Sequence, residues 1–424
     1  MALGNGTFSV QNKVLPGSYV KFISAVRANA SLSERGVTAL MLPTLWNPGV
    51  LVTLHPEDLA KSESLFGYAP ESAELRPLRE AFCSCGTVLV YTVGAGTIAS
   101  CEIGNAAKAG SFGNQIRVIV SQNPDWTAVN MKMDVVTTLN GVEVDRQTGV
   151  NASVIQGEIK SNDFVTFDQL AVLDRPTTYA MSGGSSETVT VAHYQAGLDR
   201  LERETFNTLA YGGSDSEIKS LFANYTRRMR EECGALFQCV LHGQDANYRG
   251  VVNAANADAV DWIAGALAGC ALNASLTNLE YNGECSLELP ETREDLLSLM
   301  EARQFAFHSV GGSPRVLADI NSEDDPLFGQ NQALRVLDQV AGDIATLFST
   351  SYLGKIQNNS AGRMSFWNDT VHLFNQLSQL GAIEDFSSQD VTVEEGSEKN
   401  AVTVTAQIRP VCSMEKLYFT VTVI

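Results

Sequence analysis

Two apolar, alternating stretches, one near each end of the chain, have no complementary strand beside them. This limits the possible folds more than any other feature. Near the start, Leu15-Pro16-Gly17-Ser18-Tyr19-Val20-Lys21-Phe22 reads as a Pro-Gly turn leading into a strand. At the other end, Leu417-Tyr418-Phe419-Thr420-Val421-Thr422-Val423-Ile424 alternates in the same way, with no strand following it. A β-segment without a local partner leaves its backbone groups unpaired, so it must pair at long range or with another chain.

Between these ends the periodicity changes three times. Residues 31–96 read as α/β, with an apolar strand at Val37–Pro43, helices at Glu57–Phe66 and Leu75–Cys83, and a buried-type strand at Thr87–Val93. Residues 97–182 read as short strands with turn signals, and Asn140-Gly141 joins two of them as a hairpin dipeptide. This segment is expected to form an all-β insertion, a sandwich. Residues 183–325 return to alternating strands and helices and predict a layered α/β domain with a largely parallel sheet. Within it, Ser214 and Glu217 have the spacing of a capping box opening a helix to about Glu232. Residues 326–424 hold two long helices, about Gln330–Tyr352 and Ala361–Leu380, and then strands. At 424 residues, two to four domains are expected.

Charge narrows the partners. The formal net charge is −19, and the one basic cluster, Arg227-Arg228-x-Arg230, runs directly into Glu231 and Glu232. That pattern reads as a solvated helix face, so direct nucleic-acid binding is not expected. No stretch of about 18 apolar residues is present, so no membrane insertion is expected. The opening Met1-Ala2-Leu3-Gly4-Asn5-Gly6 has neither a basic nor an apolar signal region, so folding in a cytoplasm is expected. The eight cysteines include a Cys83-Ser84-Cys85 pair, but no second pair at zinc spacing. They are read as reduced core residues, with no metal site and no cofactor.

The segments that look like catalytic motifs each have a plain structural role. Gly94-Ala95-Gly96-Thr97-Ile98-Ala99 has the glycine spacing of a dinucleotide loop. Gly104 follows too soon for the helix such a loop must open, so the segment reads as an interdomain connection. The Ser-containing loops at Gly183, Gly212 and Gly311 match neither G-x-S-x-G nor a phosphate-binding loop. None of the five histidines has metal-ligand spacing, and the runs Glu323-Asp324-Asp325 and Glu394-Glu395 read as solvated loops. No catalytic residue is assigned. The alternative is a nucleotide-binding or hydrolytic α/β enzyme.

Several segments together resemble the sheath proteins of contractile phage-type tails, including those of defective prophages and phage-tail-like bacteriocins of Gram-positive hosts. They are Leu15–Phe22 with Ala30-Ser31-Leu32-Ser33-Glu34-Arg35-Gly36, and Ala107–Ile116 with its G-x-x-G-N-x-I stretch. Arg315–Ser322, Asn331–Gln339, Tyr352-Leu353-Gly354-Lys355 and Met414-Glu415-Lys416-Leu417-Tyr418 complete the set, which is spread over nearly the whole chain. The resemblance implies a subtilisin-like α/β domain without protease chemistry, an inserted β-sandwich and extended terminal arms. It implies a homo-oligomer of stacked rings in a helical sheath, with a tail tube protein, baseplate and tail terminator proteins as partners. The particle would be a virion or phage-tail-like assembly built in the host bacterial cytoplasm. It also implies inter-subunit strand exchange. The partnerless segments would carry it, through Leu15, Pro16, Gly17, Tyr19, Val20 and Phe22 at one end. Leu417, Tyr418, Phe419, Thr420, Val421, Thr422 and Val423 would carry it at the other.

Overall fold

The structure is a computed structural model that describes residues 32, 35–152, 158–171, 173 and 175–423. The expected N-terminal strand, Leu15–Phe22, lies outside the described residues. The described chain falls into two compact units, one of 35–342, 380–384 and 409–423, the other of 343–379 and 385–408.

The first unit is built on a seven-stranded sheet. Its spatial order is Gln304–Phe305, Val251–Ala254, Gln238–His242, Thr208–Tyr211, Val37–Pro43, Thr87–Val93, Leu51–Leu54. All neighbours are parallel except Leu51–Leu54, which runs antiparallel to Thr87–Val93. The strands are apolar on both faces because both faces are covered. Leu40, Leu42, Val88, Val90, Val240 and Val252 point into one core, and Ala39, Met41, Leu89, Tyr91, Leu209 and Leu241 into the other. Helices Arg76–Phe82 and Val260–Gly269 cover the first face with Leu78, Trp262 and Ile263. Helices Val191–Leu201 and Ser216–Glu231 cover the second with Leu198, Phe222 and Met229.

The segment from Gly96 to Ser186 departs from this sheet as two four-stranded sheets. One contains Thr177–Ala180, Ile116–Gln122, Lys132–Leu139 and Val142–Asn151 in that order. The other contains Ser185–Ser186, Gly96–Cys101, Gly104–Ala109 and Val165–Phe167. Inward residues of both, among them Ile116, Val118, Val135, Ala106, Val165 and Phe167, form one apolar core. The Asn140-Gly141 hairpin forms as expected, with φ of 49° and 84° at its two residues.

The second unit pairs helix Ser360–Gln379 with the hairpin Val391–Glu395/Val402–Ala406. Trp367 donates its indole N–H to the Val391 carbonyl at 2.8 Å. A π-helical turn, Phe348–Tyr352, brings Phe348 and Tyr352 edge-on to Phe366.

Several expectations need correction. The helix after the Gly212 loop is capped by Asp215, whose carboxylate accepts from Glu217 and Ile218 N–H, and not by Ser214. A one-residue shift keeps Ile218 and Phe222 on the buried face. The basic cluster is only partly solvated: Arg230 is buried and held by Asp338 at 2.7 Å, while Arg228 pairs with Glu202. The run Glu394-Glu395 ends a strand, where pairing with Val402 and Thr403 outweighs the low β-propensity of glutamate. In the acidic loop, Glu323 pairs with Arg249 at 2.8 Å and Asp325 accepts from two backbone N–H groups. Two of the eight cysteines, Cys233 and Cys412, are exposed and not core residues.

Candidate functional site

The edge where an open α/β sheet normally holds a ligand lies at the carboxyl ends of its strands. At one of these strands the chain runs on directly into another core. After Val37–Pro43, Trp46 is fully buried in the core of the two four-stranded sheets. Its indole N–H and the Lys108 ammonium both donate to the Ser64 carbonyl. Asn47 and Phe112 add backbone hydrogen bonds, to Ala109 and Leu45 at 2.8 and 3.2 Å. The Gly94–Ala99 loop enters a strand, Gly96–Cys101, and not a helix. A Cβ on Gly96 would stand 2.2 Å from the Ser185 carbonyl oxygen, so that glycine serves close strand packing. Gly311 and Gly312 form the turn of the hairpin Phe307–Val310/Ser313–Val316.

Three of the segments that looked distinctive in sequence, Arg315–Ser322, Asn331–Gln339 and Met414–Tyr418, come together elsewhere, around the start of helix Asn331–Leu347. Asp319 and Arg335, each 1% exposed at the side chain, form an ion pair at 3.1 Å. Asp319 also accepts from the Asn331 amide at 3.0 Å and from Leu276 N–H at 3.1 Å. Asn331 in turn accepts from Gln238, on a central strand of the large sheet, at 2.8 Å. Two turns further along the helix, Asp338 holds Arg230 with two hydrogen bonds. Charges this deeply buried persist only when paired and hydrogen-bonded. The network therefore ties the helix to the sheet in one register.

The C-terminal segment leaves from this same place. Ile383 and Glu384 pair antiparallel with Pro410 and Arg409, and Val411 N–H donates to the Ala382 carbonyl at 2.9 Å. The Gln332 side-chain carbonyl accepts from both N–H and Oγ–H of Ser413, at 2.9 and 3.0 Å. Glu415 accepts from the Thr277 hydroxyl at 2.6 Å. Beyond Lys416 no hydrogen bond joins the segment to the described residues.

Leu417, Tyr418, Phe419, Thr420, Val421, Thr422 and Val423 are thus brought together as one continuous exposed run. Leu417 is 87% exposed, Phe419 79% and Val423 90%. The expected strand is not formed in the single chain, because a strand without a neighbour has no ladder to stabilise it. The alternation is nonetheless sharp. Leu417, Phe419, Val421 and Val423 would share one face, and Tyr418, Thr420 and Thr422 the other. The clasp by Gln332 and Thr277 was missed in sequence, since its partners lie 81 and 138 residues apart. The thiols are not a reactive centre in the core: burial pushes Cys239 up to about 12 and Cys83 up to about 11.

Comparison with known proteins gives this arrangement its context. Residues 187–322 match the phage tail sheath protein central domain, and residues 323–424 match the phage tail sheath C-terminal domain. The sheath tail protein DSY3957 of Desulfitobacterium hafniense superposes with a TM-score of 0.80. It is 30% identical, over 95% of this chain and 99% of that one. The sheath tail protein Lin1278 of Listeria innocua gives a TM-score of 0.77 at 26% identity, over 92% of this chain and 95% of that one. The phage-like element PBSX protein XkdK of Bacillus subtilis (strain 168) is 28% identical over 99% of this chain and its own full length. A fold shared end to end with sheath tail proteins, and two sheath domains matched in series, make the chain a member of the phage tail sheath family, a structural sheath subunit.

Proposed function

We propose that copies of this chain stack as rings into a helical sheath around a tail tube protein, bounded by baseplate and tail terminator proteins, and exchange terminal strands with neighbouring copies. Contraction of that lattice drives the tube through a cell envelope. The particle is a virion or phage-tail-like assembly built in the host bacterial cytoplasm, and the chain carries out no catalysis. The observation that carries this reading is the exposed face of Leu417, Phe419, Val421 and Val423.

The energetics favour a partner. Burying those four side chains gains about 6–12 kcal/mol at roughly 1.5–3 kcal/mol each. Ladder hydrogen bonds add about 1 kcal/mol apiece, roughly 5 kcal/mol for a strand of this length. Ordering the seven residues costs about 7–14 kcal/mol, so each exchanged arm nets a few kcal/mol. One arm is a weak joint. A lattice in which every copy gives and receives an arm is permanent, while the arms let compact bodies rotate.

The sheet order supports a subtilisin-like reading of the α/β part, since Thr87–Val93 and Thr208–Tyr211 flank Val37–Pro43 and later strands extend the sheet in one direction. The two sheets with a common core support a sandwich for 97–182. At the carboxyl end of Val37–Pro43 the chain packs Trp46 into the core of the two four-stranded sheets, where an enzyme of this class would keep a ligand loop open.

Deletion is the direct test. A chain lacking residues 417–424, or one lacking 1–22, is expected to stay folded by circular dichroism and to sediment as a small species. The full chain is expected to form megadalton hollow cylinders visible by electron microscopy. Cylinders of normal appearance from both deletions would refute strand exchange.

A further inference from the structure

Residues 412–416 are exposed, yet the structure holds them in place, and what holds them is directed hydrogen bonding and not apolar burial. We infer that Gln332 and Thr277 are positioning residues for the C-terminal arm: they clasp its root, so that only 417–423 is free to search for a neighbouring copy. This inference rests on the strand-exchange reading for its purpose, though not for its geometry.

Both clasp residues are anchored from behind. Gln332 is 4% exposed, in the first turn of helix Asn331–Leu347, beside Asn331 and its bond to Asp319. One buried carbonyl oxygen takes both donors of Ser413, which fixes that residue's backbone and side chain together. The Thr277 hydroxyl donates to Glu415 while accepting from Asp319 N–H at 3.0 Å. Asp319 is the acidic partner of the buried Arg335. The arm root is therefore referenced to the same polar network that registers the helix against the large sheet. A third hold, Val411 N–H on the Ala382 carbonyl, lies just upstream.

Opening the clasp changes the arm's reach. With the Val411 hold intact, the free stretch grows from seven residues, 417–423, to twelve, 412–423. Its maximum span rises from about 25 Å to about 42 Å at roughly 3.5 Å per residue. The effective concentration of the arm at a neighbour's sheet edge falls about 2-fold, following the −3/2 power of length. A longer tether also admits docking at more than one spacing. The clasp thus serves uniform lattice geometry as well as capture.

The test is amide hydrogen exchange, read by mass spectrometry, on the dilute, unassembled full chain. Peptides covering 411–416 should retain two slow amides, at Val411 and Ser413, while peptides covering 417–424 exchange completely at once. Gln332→Leu should release the Ser413 amide, raising its exchange at least 10-fold, with helix Ser360–Gln379 and the large sheet unchanged. Gln332→Glu keeps the acceptor oxygen and should keep the protection. On assembly, Gln332→Leu combined with Thr277→Val, which opens both halves of the clasp, should form cylinders about 2-fold more slowly and with variable pitch, and Gln332→Glu should behave as the parent chain. Equal exchange of 411–416 and 417–424 in the parent chain would overturn the clasp whatever the assembly result. Failure of strand exchange alone would instead show as normal cylinders from the 417–424 deletion, with protection at 411–416 intact.

Discussion

Asp261 offers a sharp test of how the α/β unit is held together. It lies in the first turn of helix Val260–Gly269, where the helix dipole favours a negative charge. Burial outweighs that preference, and the nearby Glu80 carboxylate adds to it, while Arg76 opposes; the carboxyl is pushed up to about 7. Glu80 itself is 1% exposed and accepts from Tyr281 Oη–H at 2.9 Å and from Glu284 N–H at 2.6 Å. Arg76 is engaged with Asp258 at 3.0 Å. In the unfolded chain an aspartate titrates near 3.9. Below pH 4 both states are protonated, and Asp261 has no effect on stability. Between about pH 4 and pH 7 the unfolded chain releases the proton and the folded chain keeps it, so stability falls as pH rises. Above pH 7 the full cost is present.

A difference of about three pH units corresponds to about 4 kcal/mol as a ceiling. Asp261 keeps partial solvent contact, which reduces the expected cost to roughly 1–2 kcal/mol. Asp261→Asn removes the charge while preserving the shape. It should be more stable than the parent by that amount at pH 8 and equal to it at pH 4. Urea unfolding followed by the fluorescence of Trp262, fully buried next in sequence, reads the difference at each pH. A stability difference that does not change between pH 4 and pH 8, or an asparagine variant that is weaker at pH 8, would refute the reasoning.

Three other perturbations follow from the same geometry. Arg335→Leu strands the Asp319 carboxylate in the core and should cost about 3–5 kcal/mol in urea unfolding, part of it recovered when Asp319 is also made Leu. Tyr281→Phe leaves buried Glu80 with one fewer donor and should cost about 1–3 kcal/mol by the same measurement. At pH 8 a thiol reagent should modify exposed Cys233 within minutes, while Cys239, fully buried and pushed up to about 12, should react only on unfolding, as read by peptide mass spectrometry.

Much of the architecture was legible because the local signals agree with the global fold. Val37–Pro43 and Thr87–Val93 are apolar runs bounded by turn residues, and both are central parallel strands. Asn140-Gly141 specified its hairpin through two residues that tolerate positive φ. The errors arose where a tertiary partner overrode a local preference. Glu394 and Glu395 are poor strand formers, yet the strand Val402–Ala406 recruits them. Arg230 looked solvated until the helix at Asp338 came to meet it.

The alternation at Leu417–Val423 is a local signal and could be read from the sequence, but the single chain does not form the strand it predicts. The clasp could not be read in this way. A glutamine at 332 and a threonine at 277 carry no sequence mark of the serine and glutamate they hold, and only the fold brings them together. The polar network at Asp319 lay within segments already singled out by family resemblance, but its burial and pairing could not be derived from composition or periodicity.

The most direct measurement is a cryo-electron microscopy map of cylinders assembled from this chain, at a resolution that traces side chains. The map should show residues 417–423 of each copy hydrogen-bonded as a strand to the sheet of an adjacent copy, with Leu417, Phe419, Val421 and Val423 turned inward. Density placing those residues on their own chain, or leaving them in solvent within an intact lattice, would contradict it.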